Sequence, residues 1–139
     1  MIYDIGYTAG VFDLFHVGHL NILRAAKSLC NKLIVGVTTD EACKYKNKTC
    51  VIPHDQRIQI VQNIKFVDTV VPQNDVDKII AYKKLHFDAL FVGDDWFGSD
   101  SWNRYEKYLT SVNVPIIYLP YTSDISTTKL ISKIYNKLD

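Results

Sequence analysis

Two histidines spaced three residues apart are the side chains of this chain best suited to chemistry on a phosphate group. They are His16 and His19, in the stretch Gly10-Val11-Phe12-Asp13-Leu14-Phe15-His16-Val17-Gly18-His19. Ile2 to Thr8 is rich in β-branched and aromatic residues, and apolar residues from Leu20 to Leu29 recur with helical spacing, so the stretch is predicted to join a strand to a helix. A helix start binds anions through its unpaired N–H groups and the positive end of its dipole. We therefore expect backbone amides at the beginning of the stretch, together with the two imidazoles, to bind a triphosphate.

A second group of polar residues lies near the other end of the chain. Ile125-Ser126-Thr127-Thr128 precedes Lys129 at the predicted start of the last helix. Hydroxyl residues at such positions are common as ordinary helix caps. Alternatively, this second helix start closes on the phosphates from the side opposite the histidines.

A short basic segment supplies candidate cations. Lys44, Lys46 and Lys48 alternate in a loop-like stretch after Asp40 and before Pro53. The segment is either a solvated basic loop, or one of its lysines neutralises charge on a phosphate group during transfer. Asp40, at a predicted strand end, is a candidate for acceptor binding, whereas Arg57, near a helix start, fits a structural ion pair equally well.

A pair of acids follows another predicted strand, in the string Gly93-Asp94-Asp95-Trp96. Paired aspartates at the end of a strand are common in turns and caps, and they also suit a metal ion. The residue types alone leave both interpretations open.

Taken together, these elements resemble a known family. His-x-Gly-His with its Gly-x-Phe-Asp lead-in, and Ile-Ser-Thr-Thr near the end, are similar to the nucleotidyltransferases that include glycerol-3-phosphate, phosphocholine and phosphoethanolamine cytidylyltransferases, and Gly-Asp-Asp-Trp is similar to the glycerol-3-phosphate enzymes. The resemblance implies transfer of a cytidylyl group from CTP to a small alcohol phosphate by direct in-line attack. It also implies Mg²⁺ bound mainly through the CTP phosphates, and a homodimer.

The resemblance assigns roles residue by residue. Catalysis falls to His16, His19 and Lys46. Nucleotide binding falls to Gly10, Val11, Phe12, Gly93, Asp94, Asp95, Trp96, Ile125, Ser126, Thr127 and Thr128. Acceptor binding falls to Asp40, Lys48, Lys65, Tyr121 and Thr122.

Two departures from the family pattern affect the acceptor. Tyr121 stands where the family run Arg-Thr-x-Gly-Ile-Ser-Thr-Thr begins with Arg, and a phenol cannot supply the charged, bidentate contact of a guanidinium. Lys65 stands where the glycerol-3-phosphate enzymes carry Arg. A Lys at this position resembles some phosphoethanolamine enzymes instead. Phosphoethanolamine, phosphocholine and other polyol phosphates therefore remain alternative acceptors. An ATP-using adenylyltransferase of the same fold and a non-catalytic CTP-binding regulator remain alternative functions.

Composition narrows the class of protein. With 139 residues, 47% of them hydrophobic, the chain has the size of one domain with a core. A net charge of +1 with scattered basic residues argues against a nucleic-acid surface. Three cysteines without a Cys-x-x-Cys pair are typical of a reducing cytoplasm. No apolar run approaches the ~20 residues of a membrane span, and the N-terminus lacks a basic leader region, so neither membrane insertion nor secretion is expected.

Strands and helices must alternate to position these residues. Beyond the first strand and helix, the pattern predicts strands at Lys32–Thr38, Val67–Val71, Ala89–Val92 and Pro115–Leu119. It predicts helices at Asp55–Ile64, Val76–Leu85, Asn103–Leu109 and Ser126–Leu138. Such alternation indicates a single Rossmann-like α/β domain over residues 1–139, with a doubly wound, parallel, five-stranded sheet and helices on both faces. Strands ending at Thr8, Thr38, Val92 and Leu119 would then share the edge where such sheets bind ligands.

Overall fold

Helices and strands alternate along the computed structural model, which describes residues 2–44, 49–93, 100–120, 122 and 125–138. The strands in this part of the chain are β1 (Tyr3–Gly10), β2 (Cys30–Thr38), β3 (Thr69–Gln73), β4 (Ala89–Gly93) and β5 (Ile116–Leu119). The helices are α1 (Val17–Lys27), α2 (Asp40–Lys44), α3 (His54–Gln62), α4 (Lys78–Leu85), α5 (Asp100–Ser111) and α6 (Thr127–Leu138). Among these described helices, none has both the length and the apolar character needed to cross a membrane.

The strands form one parallel sheet in the order β3-β2-β1-β4-β5. The chain builds outward from β1 to β3 and then crosses to the other side of β1 to add β4 and β5. The carboxyl ends of β1 and β4 therefore meet where the direction of winding reverses, which is where open α/β sheets bind ligands. The predicted α/β class and parallel five-stranded sheet are confirmed.

Apolar side chains cover both faces of the sheet. On one face, Leu23 of α1 and Val61 of α3 are fully buried against the strands. On the other face, Ala81 of α4 and Leu109 of α5 pack against the sheet. Because a parallel strand inside such a sandwich is apolar on both sides, β2 is a nearly continuous run of buried residues from Leu33 to Thr38.

The observed element ends differ from the predicted ones by up to three residues, and two of the differences have a clear physical reason. The strand predicted at Val67–Val71 lies instead at Thr69–Gln73 and includes Pro72. Proline interrupts a central strand, but β3 is at the edge of the sheet, where one missing N–H is tolerated. The second departure is α2, a short helix within a stretch expected to be a loop.

Candidate active site

A strained turn connects β1 to α1. Phe12 and Leu14 have φ angles of 55° and 49°, in the left-handed region that costs a non-glycine residue about 1 kcal/mol or more. Packing offsets this cost, because the Phe12 ring is buried and lies 6.2 Å from the Phe15 ring and 5.4 Å from the His19 ring. The turn is therefore held in one shape directly before the two histidines.

The two histidines cap the helix that carries them. His16 is the N-cap of α1, and its Nδ1 accepts the Gly18 N–H across 3.0 Å. His19 Nδ1 accepts the His16 N–H across 3.2 Å, and the two rings stack with centroids 3.8 Å apart. Since each Nδ1 accepts a hydrogen bond, the ring proton of each neutral imidazole must be on Nε2.

Both imidazoles are neutral near pH 7. Burial, together with the nearby His16, lowers the pKa of His19 to about 4, and burial also lowers the pKa of His16. Each ring therefore offers one N–H donor rather than a full positive charge. Positive charge at the phosphates must then come from a source other than these two rings.

Gly18 makes this arrangement of rings possible. A Cβ at this position would lie 2.8 Å from Cε1 and 2.9 Å from Nδ1 of His16. Contacts that short do not occur at real Cβ atoms, so a larger residue would displace the His16 ring.

The start of α6 lies against the turn that precedes α1. Ser126 Oγ accepts the Lys129 N–H across 3.0 Å, so it acts as an ordinary helix cap. Thr127 Oγ1 donates to the carbonyl oxygen of Asp13 across 2.7 Å, which joins α6 to the turn before α1. With these hydroxyls engaged in the fold, the first-turn N–H groups of α6 are its best phosphate donors.

These elements surround a cavity of about 600 Å³ at the carboxyl ends of the strands. Most of the residues predicted for nucleotide binding or catalysis line it: Gly10, Val11, Phe12, His16, His19, Gly93, Ile125, Ser126, Thr127 and Thr128. Thr122, predicted to bind the acceptor, also lines the cavity and accepts a hydrogen bond from Asn21 across 3.2 Å. The other predicted site residues Lys46, Lys48, Asp94, Asp95, Trp96 and Tyr121 lie outside the described residues.

The structure places Asp40 outside the large cavity, in an ion pair. Its carboxylate accepts from Arg57 Nη2 across 2.6 Å and from the His54 N–H across 3.2 Å. Partial burial opposes ionisation, but these donors hold the pKa of Asp40 below its ordinary value. The structural reading of Arg57 is therefore the correct one, because its guanidinium is fully buried and bonded within the fold.

Lys65 precedes β3, at the amino ends of the strands, whereas the cavity is at their carboxyl ends. It is exposed in the connection before β3, and its Nζ lies 5.8 Å from the centre of the Phe66 ring. Arg24, in the last turn of α1, lies over the same ring at 5.3 Å. Since α1 begins at the cavity, its last turn is far from it. The structure therefore does not bring Lys65 to the site predicted for it.

Sequence reasoning missed a buried lysine in the cavity wall. Lys78 is 7% exposed, lines the cavity, and donates to Gln73 Oε1 across 3.1 Å. The same oxygen accepts from the Tyr7 hydroxyl across 3.2 Å, and Gln73 Nε2 donates to Thr38 Oγ1 across 3.0 Å. Burial raises the pKa of Tyr7, so its phenol stays protonated and donates. A correct end for β3 at Gln73 would have indicated this cluster, because strand ends share the ligand edge.

Two aromatic residues of α5 complete the wall. Trp102 and Tyr105 line the cavity, with ring centroids 5.2 Å apart and planes at 88°. Both side chains are buried, so they give this side of the cavity a fixed, largely apolar surface.

The described residues do not form a carboxylate cage for a metal ion. No group of three or more His, Cys, Asp or Glu side chains in this part of the chain is close enough to hold one. Asp13, the acid nearest the histidines in sequence, uses both carboxylate oxygens to accept backbone N–H groups.

A parallel sheet with two helix starts and a histidine pair around a cavity at the carboxyl ends of its strands is suited to binding a nucleotide. The chain belongs to the cytidylyltransferase-like family, whose model matches residues 7–133. It is 38% identical over 124 residues to a glycerol-3-phosphate cytidylyltransferase of Bacillus spizizenii, covering 88% of this chain and 91% of that protein. It is also 35% identical over 130 residues to an FAD synthase of Korarchaeum cryptofilum, covering 91% of this chain and 88% of that protein.

A solved structure supports the fold. The lipopolysaccharide core biosynthesis protein from Thermoplasma volcanium GSS1 is similar with a TM-score of 0.73 at 19% identity, covering 86% of this chain and 97% of that chain. At this level of identity, the similarity concerns the arrangement of strands and helices and carries no assignment of substrate.

Proposed function

We propose that the chain transfers a cytidylyl group from CTP to a small alcohol phosphate, with glycerol 3-phosphate as the first candidate acceptor. The products are a CDP-alcohol and pyrophosphate. The observation that carries this proposal is the meeting of the α1 and α6 starts at one cavity, with the stacked His16 and His19 rings at the start of α1. A volume of about 600 Å³ is in the range usual for small-molecule sites.

The proposed reaction is a single in-line displacement. An oxygen of the acceptor phosphate bonds to the α-phosphorus of CTP while the bond from that phosphorus to the pyrophosphate oxygen breaks. The acceptor phosphate is already ionised near neutral pH, so no side chain needs to remove a proton. Catalysis then consists of positioning and charge stabilisation, which the Nε2–H donors of His16 and His19 and the first-turn amides of α6 can supply.

Two further parts of the proposal concern the positive charge at the phosphates and the residues around the nucleotide base. Lys46 is our candidate for neutralising the charge that grows on the phosphates, and Lys48 for binding the acceptor. Mg²⁺ would enter mainly through the CTP phosphates and would add positive charge there. The string from Gly93 to Trp96 would border the base, as its similarity to the glycerol-3-phosphate enzymes suggests.

Lys78 is our candidate for a cation that binds the phosphate of the acceptor. Where the family pattern has arginine, this chain has Tyr121, which removes a charged contact to phosphate. Lys78 in the cavity wall, held by Gln73, can supply a replacement charge to the acceptor phosphate. Phosphoethanolamine, phosphocholine and other polyol phosphates remain candidates, because these features recognise a phosphate more than the alcohol.

Adenylyl transfer from ATP is a second candidate, favoured by the similarity to an FAD synthase at nearly the same identity. The Gly-Asp-Asp-Trp string favours CTP. Pyrophosphate release should be measured with CTP or ATP against glycerol 3-phosphate, phosphoethanolamine, phosphocholine and a phosphorylated flavin. Release only with CTP and an alcohol phosphate supports the proposal, whereas release only with ATP and the flavin replaces it.

Variants test whether the histidines carry the activity. His16→Ala and His19→Ala should each lower turnover by about 10²-fold or more, the usual loss for a positioned charge-stabilising group. His86→Asn is the matched control, because His86 is exposed and caps α4 in a left-handed conformation that asparagine also adopts. Tight CTP binding without pyrophosphate release across the whole panel would instead identify a non-catalytic regulator.

We also propose a homodimer, as the family resemblance implies. Ile134 and Tyr135 are consecutive residues of α6, 53% and 66% exposed in the single chain, and they are our candidates for such an interface. Light scattering on the eluted protein should give a mass near 32 kDa, twice the 16.0 kDa of the chain. A mass of one chain at micromolar concentration contradicts the dimer.

A further inference from the structure

Two buried charged residues hold the same short backbone segment from opposite sides. The Asp13 carboxylate is buried and accepts the Val51 N–H across 2.8 Å and the Ile52 N–H across 2.9 Å. The guanidinium of Arg57 is fully buried, and its Nε donates to the Ile52 carbonyl across 2.8 Å. Both backbone polar groups of Ile52 are therefore bound by a charged side chain.

The same two residues bind three other parts of the site. Arg57 Nη1 donates to the carbonyl of Val11, in the turn before α1, and to that of Thr38, at the end of β2, each across 2.7 Å. The Asp13 carbonyl accepts from Thr127 at the start of α6. Residues 51 and 52 are thereby joined to the turn that shapes the histidine pair and, through Asp13, to α6.

We propose that Asp13 and Arg57 are positioning residues for the proposed reaction, and that they fix the cavity rim next to the histidine turn. Thr49 and Cys50, which directly precede the held segment, line the cavity. Cys50 Sγ also lies 3.2 Å from Cys43 Sγ, so this part of the rim contacts α2. In the sequence, Lys46 precedes Val51 by five positions.

The hydrogen bonds favour positioning over direct chemistry. An ionised carboxylate is stable when buried only if its oxygens accept hydrogen bonds, and Asp13 directs both oxygens at backbone N–H groups. Within the described part of the chain, Arg57 makes four hydrogen bonds, to three carbonyls and the Asp40 carboxylate. These groups are committed to the fold, so their effect on substrate passes through the segments that they hold.

The first test needs no substrate. In Asp13→Asn, the amide oxygen keeps the place of one carboxylate oxygen and its N–H bond, while the amide NH₂ replaces the other oxygen and faces the second N–H donor. We expect hydrogen exchange at Val51 and Ile52 to quicken at least tenfold, and trypsin to cleave faster after Lys44, Lys46 or Lys48. Asp68→Asn is the control, because Asp68 also accepts a backbone N–H, from Leu33 across 2.8 Å, but lies before β3, away from the cavity. Unchanged exchange and cleavage in Asp13→Asn overturn the proposal.

The second test separates positioning from general destabilisation, and it rests on the proposed function. Asp13→Asn should lower kcat by about 10-fold or more in folded protein. Lys46→Ala should then cost less than about threefold further, although we expect it to cost about 10²-fold in the original chain. Lys78→Met should cost the same factor in both backgrounds, because Lys78 lies on the other face of the sheet. Equal costs of Lys46→Ala in both backgrounds overturn the positioning role.

Arg57→Lys tests the other half of the pair. Lysine keeps the charge but lacks the planar fork that reaches Ile52, Val11 and Thr38 together, so it should not restore activity. Full activity in folded Arg57→Lys contradicts the role assigned to the guanidinium. If the original chain releases no pyrophosphate with any nucleotide, the proposed function fails, while the exchange and cleavage measurements still decide whether Asp13 holds the rim.

Discussion

Replacing Gly18 by alanine should remove most turnover while leaving the folded chain near its original stability. The added Cβ would lie 2.8 Å from Cε1 and 2.9 Å from Nδ1 of His16. That Nδ1 accepts the Gly18 N–H across 3.0 Å, so the ring cannot move away without weakening the bond that sets its tautomer. The His16 ring must therefore turn, and its stacking on His19 changes with it.

Two effects on the free energy of unfolding nearly cancel. Losing the side-chain cap of α1 costs about 1 kcal/mol. Alanine in place of glycine within a helix stabilises it by up to about 1 kcal/mol. The net change should stay within about 1 kcal/mol. Turnover has no such compensation, because displacing a positioned group by about 1 Å costs about 10²-fold, or about 2.7 kcal/mol of activation free energy.

The assay is kcat/KM from pyrophosphate release with CTP and the preferred acceptor, beside urea denaturation of the same sample. Val17→Ala is the control, since Val17 is in the same first turn with an exposed side chain. Histidine ¹⁵N chemical shifts should show mixed tautomers for His16 in Gly18→Ala and the Nε2–H form in the original chain. Turnover within tenfold of the original, with stability unchanged, would refute the argument that this contact fixes the His16 ring.

Three further predictions concern stability. Because burial lowers the pKa of His19 to about 4 from 6.5, the unfolded chain takes up a proton between these values that the folded chain does not, so stability falls as pH drops through this window. Between pH 7 and pH 5, urea denaturation should show a loss about 2 kcal/mol larger than in His19→Gln, and equal losses would contradict the shift. Gly36→Ala should lower the free energy of unfolding by about 1–3 kcal/mol or more, because its Cβ would meet the buried hydroxyl of Tyr7. A melting temperature equal to the original would show that Tyr7 can move. Leu23→Ala should lower the free energy of unfolding by about 2–5 kcal/mol, since Leu23 is fully buried. Turnover per folded molecule should stay unchanged. A loss of turnover would indicate that α1 holds its histidines less rigidly than the packing suggests.

Local patterns predicted much of the fold because each element can be read within a short window. Strand-like and helix-like stretches alternate, and this alternation implies crossovers between parallel strands. The prediction for β3 was displaced because Pro72 ends most strands, and only the position of β3 at the sheet edge explains why it does not end this one. The short helix α2 has too few residues to show a helical period.

The predicted site divides in the same way. His16, His19 and Ile125 to Thr128 are at helix starts, which sequence patterns reveal, and the structure brings them to one cavity. Asp40 and Lys65 were assigned from their types and a resemblance, but their places depend on partners elsewhere in the chain. Asp40 is paired with Arg57, and Lys65 precedes β3, at the amino ends of the strands. Lys78 belongs to none of the motifs, and only the contact between β3 and the start of α4 identifies it.

The sequence by itself determined the α/β alternation, the two motifs at helix starts and the likeness to one family of nucleotidyltransferases. These features depend on residues adjacent in the chain, so spacing and residue type are enough to show them. Only the tertiary structure decided which nitrogen of each histidine carries the proton, that Lys78 lines the cavity, and that Asp13 and Arg57 hold the rim. Each of these depends on hydrogen bonds that form when the chain folds. Those of Asp13 and Arg57 join residues far apart in the sequence.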